Sequence, residues 1–349
     1  MNQIRYPTPL RAPAKIALCA FSSAVTEPYQ PRLDLAVKNL EKQGFQVIEI
    51  DGLRTPKNAT VASSYERSKA LMACLLNDDY AAVIPPWGGE LAIDLLPLLD
   101  FTALAQAKPK WLLGYSDVST IASAITLKLG WASVHCANLM EQIELEQELL
   151  TAETIAHIGT ETNTSFLQYS SKQFQSKFVD LAQQPNATLN LTETTHWQAL
   201  KAEYQQVKFS GRLIGGCLDV LAHTFATQWA DLQQFKAQHP LDGVILYLEN
   251  VELTPFQVYR ALVGMKLKGL FDNLTGLLLG RSYTHADAQA TFSYYDAIDR
   301  ALADIHCPVL LDVDIGHRPP NLTLINGALA MIEFEQSASP QAAILQTLE

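Results

Sequence analysis

The first half of the chain alternates apolar, strand-like runs with helix-like stretches, and this alternation most restricts the fold. Strand-like runs at residues 15–21, 46–50 and 81–84 are separated by helical patterns at 34–40 and 65–77, with short connections. Such alternation predicts an α/β protein with a parallel sheet and helices on both faces. Ligands of such sheets bind beyond the carboxyl ends of the strands, so we expect functional side chains in the turns there.

A sharp turn after the apolar run 111–113 carries the first candidate functional residue, Ser116. Gly114 ends the run, and helix-forming residues follow the turn. This geometry would lift the Ser116 hydroxyl clear of the sheet, with the backbone N–H of Asp117 beside it as an oxyanion donor. The Gly-x-Ser-x-Gly elbow is absent, because Val118 occupies the second glycine position. Taken alone, the pattern favours the alternative that Ser116 or Asp117 only caps the helix.

Paired glycines follow the strand-like run at 81–84. Gly88 and Gly89 would let the backbone approach a ligand and present N–H groups to it, which predicts a second oxyanion donor. The alternative is a plain connection, with Glu90 in the first turn of the next helix. We expect Trp87 to form an apolar wall near the substrate. We expect Glu90 to repel a substrate carboxylate and to attract an amine.

The character of the chain changes twice, which divides it into three parts. Residues 1–150 form the predicted N-terminal α/β domain. Residues 151–206 are rich in polar residues and weakly periodic, so they are interpreted as a connecting segment with short strands. Residues 207–349 return to strand and helix patterns and form the predicted C-terminal domain. Within the connecting segment, Trp197 could stack on a planar ligand group, although a packing anchor is the commoner role.

Two further candidates lie in the C-terminal domain, each after an apolar strand. Glu249 follows the five apolar residues 244–248, so it is either a loop charge or a carboxylate at the sheet edge. His317 lies between Gly316 and Pro319, in a turn that we expect to be rigid, which suits an imidazole that must be held in place. The chain order Ser, Glu, His is one that serine triads use.

Charge and cysteine usage exclude several classes of protein. The chain has 349 residues and a net charge of −11, without the basic cluster that nucleic-acid binding needs. Its five cysteines are far apart and form no Cys-x-x-Cys pair, so neither a metal site nor a disulfide framework is indicated. No apolar run reaches the length of about 18 residues expected of a membrane span, and residues 1–14 do not resemble a signal peptide. We therefore expect a cytoplasmic protein that binds neither nucleic acid nor membrane.

Several stretches together resemble the serine LD-carboxypeptidases, a family that includes the MccF-type microcin C immunity proteins. The likeness extends from about residue 15 to 334, nearly the whole chain. The combination of stretches is specific to that family, although no single stretch is. The stretches are residues 18–23, 87–89 with 95–101, 114–117, 211–216 with 218, and 246–250 paired with His317.

The resemblance implies a Ser–His–Glu triad for amide hydrolysis. Ser116 would attack the carbonyl, His317 would take and return the proton, and Glu249 would orient the imidazole. The oxyanion would be bound by backbone N–H groups, namely those of Asp117 and of Gly88 or Gly89. The family fold is a Rossmann- or flavodoxin-like parallel-sheet domain and a smaller mixed α/β domain, with the triad split across the cleft between them. The resemblance further implies a cytoplasmic homodimer that needs no metal or other cofactor.

Departures from the family pattern concern the substrate. The carboxypeptidases commonly carry Arg-Gly-Gly-Tyr at the first glycine turn, where this chain has Trp87 before the two glycines and Glu90 after them. Without the arginine, the turn lacks a side chain that could bind a substrate carboxylate through paired hydrogen bonds. Cys217 replaces the usual asparagine and joins Trp87, Glu90 and Trp197 as a candidate substrate contact. The slightly favoured substrate is a murein tetrapeptide that loses D-alanine, and the alternative is an aminoacyl-adenylate of the microcin C type. A non-catalytic small-molecule sensor on the same scaffold is a third alternative.

Overall fold

The computed structural model describes residues 3–58, 61–143, 148–283 and 291–349. Short 3-10 helices cover Glu27–Tyr29, Ala92–Leu98, Leu139–Glu141 and Ala202–Tyr204. The N-terminal elements are β1 (Lys15–Leu18), β2 (Val25–Thr26), α1 (Gln30–Lys42), β3 (Gln46–Glu49), β4 (Arg54–Thr55), α2 (Ser64–Leu76), β5 (Tyr80–Ile84), α3 (Phe101–Gln106), β6 (Trp111–Leu112), α4 (Val118–Leu129) and β7 (Ser133–His135).

The remaining elements build the C-terminal half. They are α5 (Leu149–Ala152), α6 (Thr154–Ile158), β8 (Ser165–Tyr169), β9 (Gln173–Phe174), β10 (Glu193–Thr194), β11 (Gln198–Ala199), β12 (Gln206–Cys217), α7 (Leu218–Thr224), α8 (Leu232–Gln238), β13 (Val244–Glu249), α9 (Pro255–Leu267), β14 (Gly276–Gly280), α10 (Tyr294–Leu302), β15 (Val309–Val313), β16 (Leu324–Asn326), β17 (Leu329–Glu335) and β18 (Ala342–Thr347).

The N-terminal sheet has four strands, all parallel, in the order β3–β1–β5–β6. Alternate residues of β1 enter different cores, since Ile16 and Leu18 pack on one face and Ala17 on the other. Such two-sided burial is typical of a parallel sheet covered by helices. The strand order is flavodoxin-like, and it reverses direction between β1 and β5, where ligands of such sheets bind. The predicted fold class is therefore confirmed for this domain.

The C-terminal sheet is mixed and larger, with eight strands in the order β11–β15–β14–β13–β12–β17–β18–β8. Strands β12 to β15 run parallel, and the remaining pairs are antiparallel. The expectation of a smaller C-terminal domain thus does not hold for its sheet. Two of the eight strands, β8 and β11, come from the segment 151–206, whereas β9 and β10 of this segment form a separate two-stranded sheet.

A short antiparallel pair joins the two halves close to the candidate site. Strand β7 pairs with β16, so that His135 lies opposite Leu324 and Ser133 opposite Asn326. All four of these residues are buried. The pairing fixes the edge of the N-terminal half against the segment that follows His317. Among the described residues, no helix combines the length and apolar character that crossing a membrane requires.

Candidate active site

Ser116 occupies a strained turn between β6 and α4. Its φ is +65°, a left-handed conformation that residues other than glycine seldom adopt. The neighbouring residues Tyr115 and Asp117 are buried, whereas Ser116 remains partly accessible. This is the geometry by which a strand-to-helix turn presents a nucleophilic hydroxyl.

The Asp117 carboxylate does not cap the backbone of α4, which removes one of the two capping alternatives. It accepts hydrogen bonds from the Ser22 hydroxyl at 2.5 Å, from the Ala92 backbone N–H at 2.8 Å and from the Thr120 hydroxyl at 3.1 Å. Burial raises the pKa of Asp117, and these three donors oppose that effect. The side chain therefore ties together the loops that follow β1, β5 and β6.

Gly88 lies directly against the candidate nucleophile. A Cβ at this position would be 2.8 Å from Ser116 Cβ and 2.9 Å from both Ser116 Oγ and the Asp117 nitrogen. Gly89 adopts a φ of +144°, and a Cβ there would instead collide with Ser22 and Ser23. The close approach requires glycine at both positions, and it places Gly88 nearer to the Ser116 hydroxyl.

The carboxylate of Glu249 and the imidazole of His317 meet at the end of β13. Glu249 Oε2 and His317 Nδ1 are 2.8 Å apart, and the Glu249 side chain is fully buried. Two glycines make room for it: a Cβ on Gly316 would lie 2.5 Å from Glu249 Oε2, and one on Gly280 would lie 2.9 Å from Glu249 Cβ. With Nδ1 engaged by the carboxylate, Nε2 is the ring nitrogen left for proton transfer.

The two groups favour each other's charged forms. Burial raises the pKa of Glu249, but the nearby His317 imidazole outweighs this effect and holds that pKa below its usual value. Burial likewise lowers the pKa of His317, but Glu249, with smaller contributions from Glu141 and Asp219, raises it above its usual value. The arrangement can therefore stabilise an imidazolium that forms during a reaction.

The fold brings Ser116 and His317 into the same region, but no direct hydrogen bond links their described side chains. Tyr115, the residue before Ser116, packs edge-on against the His317 ring, with 4.7 Å between the ring centroids. In the part of the chain that the structure describes, the Ser116 hydroxyl makes no hydrogen bond to His317. Such bonds are often long or misaligned before substrate binds, so this geometry is compatible with a nucleophile and its base.

Sequence reasoning missed a network that supports Tyr115. The Tyr115 N–H donates to Asn138 Oδ1 at 3.1 Å, and the Tyr115 hydroxyl donates to Glu141 Oε1 at 3.1 Å. The Asn138 N–H in turn donates to Glu141 Oε2 at 2.8 Å. An Asn-x-x-Glu capping pattern in the sequence would have indicated this turn, but nothing in it points to Tyr115.

Two of the predicted substrate contacts lie near the glycine turn. Trp87 is partly buried, donates its indole N–H to the Ser23 carbonyl at 3.2 Å and packs edge-on against Tyr29. Glu90 is exposed and precedes the 3-10 helix Ala92–Leu98, so the alternative that placed it in the helix's first turn is wrong.

The other two predicted contacts are buried. Cys217 lies beside Glu249 in the β12–β13 register, and its backbone N–H donates to Ser119 Oγ at 3.1 Å. Burial raises the pKa of its thiol well above the usual value. Trp197 is completely buried in the C-terminal core and donates its indole N–H to Asp314 Oδ2 at 2.9 Å. Stacking of Trp197 on a ligand therefore does not fit the structure, whereas the packing interpretation does.

The described residues also define the chemistry that this site can offer. None of the groups of His, Cys, Asp and Glu side chains in the described ranges has three members placed to bind a metal ion. The chemistry that the site itself offers is a partly accessible hydroxyl, an imidazole paired with a carboxylate and backbone N–H groups at a tight glycine turn. These are the components of acyl transfer.

Comparison with known proteins places this chain among relatives of similar length. The family models for the LD-carboxypeptidase N-terminal and C-terminal domains match residues 16–136 and 210–332. The Microcin C7 self-immunity protein MccF of Escherichia coli is 26% identical over 331 residues, 94% of this chain and 92% of that protein. The probable murein peptide carboxypeptidase of Bacillus subtilis is 24% identical over 322 residues, 91% of this chain and 89% of that protein.

Solved structures share the fold. The crystal structure of an MccF-like protein from Bacillus anthracis matches with a TM-score of 0.81 and 19% identity, covering 99% of both chains. The structure of MccF in complex with glutamyl sulfamoyl guanosine matches with a TM-score of 0.80 and 20% identity, covering 97% of this chain and 98% of that one. At these identities the likeness establishes the fold.

Proposed function

Because this chain belongs to the LD-carboxypeptidase family and is a hydrolase of that family, we propose that Ser116, His317 and Glu249 are its catalytic triad. The observation that carries the proposal is the 2.8 Å contact between Glu249 Oε2 and His317 Nδ1, beside the strained Ser116 turn. A sensor would need neither a buried, charge-paired imidazole nor a nucleophile turn, so the catalytic alternative has the better support.

In the proposed reaction, Ser116 Oγ attacks the scissile carbonyl while His317 Nε2 takes the hydroxyl proton. Glu249 holds the ring and stabilises the imidazolium. The negative charge that develops on the carbonyl oxygen is bound by the N–H groups of Asp117 and Gly88, each worth about 3–4 kcal/mol in comparable sites. His317 then protonates the leaving amine, and water hydrolyses the acyl-enzyme by the same steps in reverse order.

Two substrate classes fit this mechanism. The first is a murein tetrapeptide from which the terminal D-amino acid is released, as the family name implies. The second is an aminoacyl-nucleotide, supported by the 26% identity to MccF and by solved relatives that hold aminoacyl sulfamoyl nucleosides. Trp87 stands where the carboxypeptidases commonly carry an arginine. Its presence favours the second class, because a carboxypeptidase must accept a free substrate carboxylate and an arginine would bind it. We further propose that the protein acts as a cytoplasmic homodimer.

The test of the proposed function combines active-site labelling with a substrate panel. The wild-type protein should form one covalent adduct with a fluorophosphonate, located at Ser116 by mass spectrometry, and Ser116→Ala should form none. The panel contains L-Ala–D-Glu–diaminopimelate–D-Ala and aspartyl sulfamoyl adenosine. Hydrolysis of either one by the wild type, lost in Ser116→Ala, supports the corresponding substrate class. A folded wild type that is neither labelled nor active would instead support the sensor.

A further inference from the structure

The turn that carries His317 is closed by two hydrogen bonds of its own. The Leu322 N–H donates to the Asp314 carbonyl at 2.8 Å, and the Gly316 N–H donates to Asn321 Oδ1 at 2.5 Å. Both bonds connect residues of the turn to each other. They fix its shape, but they do not determine how the turn is oriented toward the carboxylate at the end of β13.

The side chain of Arg281, which directly follows β14, restrains the turn on its later side. Its Nη2 donates to the Arg318 carbonyl at 2.8 Å and to the Pro320 carbonyl at 3.1 Å, and its Nε donates to the Arg318 carbonyl at 3.2 Å. Both carbonyls come shortly after His317 in the chain. Because a guanidinium is planar and its donors form a rigid fork, these bonds restrain the backbone in direction as well as in distance.

The same guanidinium also holds the chain before His317. Its Nη1 lies 2.6 Å from Asp314 Oδ1, and the two side chains are only 2% and 0% exposed. The other oxygen of Asp314 accepts hydrogen bonds from the Ser171 N–H and the Trp197 indole N–H, each at 2.9 Å. The two ends of the turn therefore meet at one side chain, and we call the ion pair of Arg281 and Asp314 the turn clamp.

The turn clamp starts from a strand that also contacts Glu249. Gly280 precedes Arg281 and packs so closely that a Cβ on it would lie 2.9 Å from Glu249 Cβ. The carboxylate that pairs with the imidazole and the guanidinium that holds the turn therefore extend from neighbouring strands, β13 and β14. The register of the sheet fixes one relative to the other.

Stability alone is a poor explanation for a buried ion pair at this place. Taking two charges out of water is costly, and well-packed apolar residues often stabilise a fold as well or better. Apolar residues cannot, however, hold backbone carbonyls in a fixed direction. Accurate placement matters at His317, because a misplacement of about 1 Å in a catalytic arrangement can slow a reaction about 100-fold.

We propose that Arg281 is a positioning residue for His317, and that through the turn clamp it keeps the imidazole against Glu249 while the ring gains and loses a proton. The inference rests on the proposed function and deepens it. It adds to the proposed triad a residue that acts only through the backbone of the His317 turn.

The experiment measures how the rate of fluorophosphonate labelling at Ser116 depends on pH, in wild type and in Arg281→Lys. The variant keeps the positive charge but offers a single ammonium instead of a fork, so the turn should lose its fixed orientation. Labelling should slow about tenfold or more at its optimum. Burial lowers the pKa of His317 whereas Glu249 raises it, and a looser contact weakens the second influence, so the rising limb should move to lower pH. With a substrate, kcat should fall while KM stays nearly unchanged.

Arg212→Lys is the matched control. Arg212 is also a buried arginine, which pairs with Asp242 at 2.6 Å and donates to the Gly327 carbonyl at 2.8 Å, and its described bonds lie outside the His317 turn. This variant should lower Tm about as much as Arg281→Lys does. It should leave the labelling rate and the position of the limb at their wild-type values.

A second variant separates the titration of His317 from that of a carboxyl near the turn clamp. Burial raises the pKa of Glu148 to about 7, and this residue interacts with both members of the clamp. Glu148→Gln combined with Arg281→Lys should therefore keep the shifted limb. The other charged or titratable groups that act on His317 or on the clamp are unchanged in every variant: Glu141, Asp219, His135, Asp312 and Arg318.

Three outcomes would overturn the proposal: an unmoved limb with a wild-type rate in Arg281→Lys, an equal shift in Arg212→Lys, or a wild-type limb in the double variant. If Arg281→Lys unfolds, Ser171→Ala serves instead, because it removes only a hydroxyl bond to Asp314 Oδ1 and so loosens the same clamp. The limb should then move in the same direction by a smaller amount, and an unmoved limb would contradict the proposal. Failure of the proposed function would appear separately, as absent labelling of Ser116 in the wild type.

Discussion

His317 lies between two opposing influences, the burial that lowers its pKa and the Glu249 carboxylate that raises it. As the proposed base it must be neutral, so kcat/KM should rise with pH through a limb above the usual histidine value of about 6.5. Glu249→Gln removes the negative charge, so this limb should move to lower pH while the maximal rate falls. A pH–rate profile of both proteins checks the shift. An unmoved limb in the variant would show that Glu249 does not set the titration of the base.

Gly88 allows a test in which one methyl group is added beside the proposed nucleophile, Ser116. The new Cβ would lie within 2.9 Å of Ser116 Oγ and the Asp117 nitrogen, so the turn must shift. Gly88→Ala should lower kcat/KM about 100-fold or more, comparable to the loss of one oxyanion donor. Gly264→Ala is the matched control, because nothing lies within 4 Å of a Cβ at that position in α9. Full activity of Gly88→Ala would remove this turn from the proposed oxyanion site.

At the scale of elements, Asp117 links α4 to the loops that follow β1 and β5. Asp117→Ala would leave the buried Ser22 hydroxyl and Ala92 N–H without their acceptor. We expect a loss of about 3 kcal/mol in the free energy of unfolding, measured by urea denaturation. Asp100→Ala removes an ordinary helix cap from α3, an exposed bond to the Ala103 N–H, and should cost only about 1 kcal/mol. Equal losses would contradict the linking role of Asp117.

The regular elements of the N-terminal half could be predicted from sequence because the apolar residues of each element follow one regular spacing. The helical pattern at 65–77 became α2 (Ser64–Leu76), and the apolar run at 81–84 became β5 (Tyr80–Ile84). Strand β8 was missed, because a polar residue occupies its buried face. Gln168 is 2% exposed and exchanges hydrogen bonds with the backbone of Thr323, whereas Leu167 is on the accessible face. A polar residue is buried and an apolar residue is exposed at these two positions, so the hydropathy pattern does not indicate which face of the strand is buried.

At the scale of the whole molecule, the proposed triad is assembled from both sheets. Ser116 follows β6 of the N-terminal sheet, whereas Glu249 is the last residue of β13 and His317 follows β15, both in the C-terminal sheet. Residues that act as one unit show non-additive losses, so Ser116→Ala/His317→Ala should be little slower than either single variant. Steady-state kinetics of the three variants measures this, with thermal unfolding as the control for stability. Multiplicative losses would contradict a shared catalytic step.

Assembly from two halves also explains which parts of the site could be anticipated. Ser116, Glu249 and His317 each end or follow an apolar strand, and the resemblance to the family joined them into one hypothesis. The cavity of about 200 Å³ that Tyr115 lines could not be foreseen, because it forms where Trp87, Glu141 and the segment near Phe178 meet. Contacts between segments so distant in sequence leave no periodic signal in any of them.

The pairing of β7 with β16 has a consequence for the order in which the chain emerges from the ribosome. The turn that carries Ser116 can fold with the first sheet, long before His317 and β16 have been synthesised. Until then the serine lacks its proposed base, and β7 lacks its partner strand. If domains fold as they are made, a nascent or truncated chain would carry an inert hydroxyl, and reactivity toward amides would arise only after His317 and β16 have been synthesised.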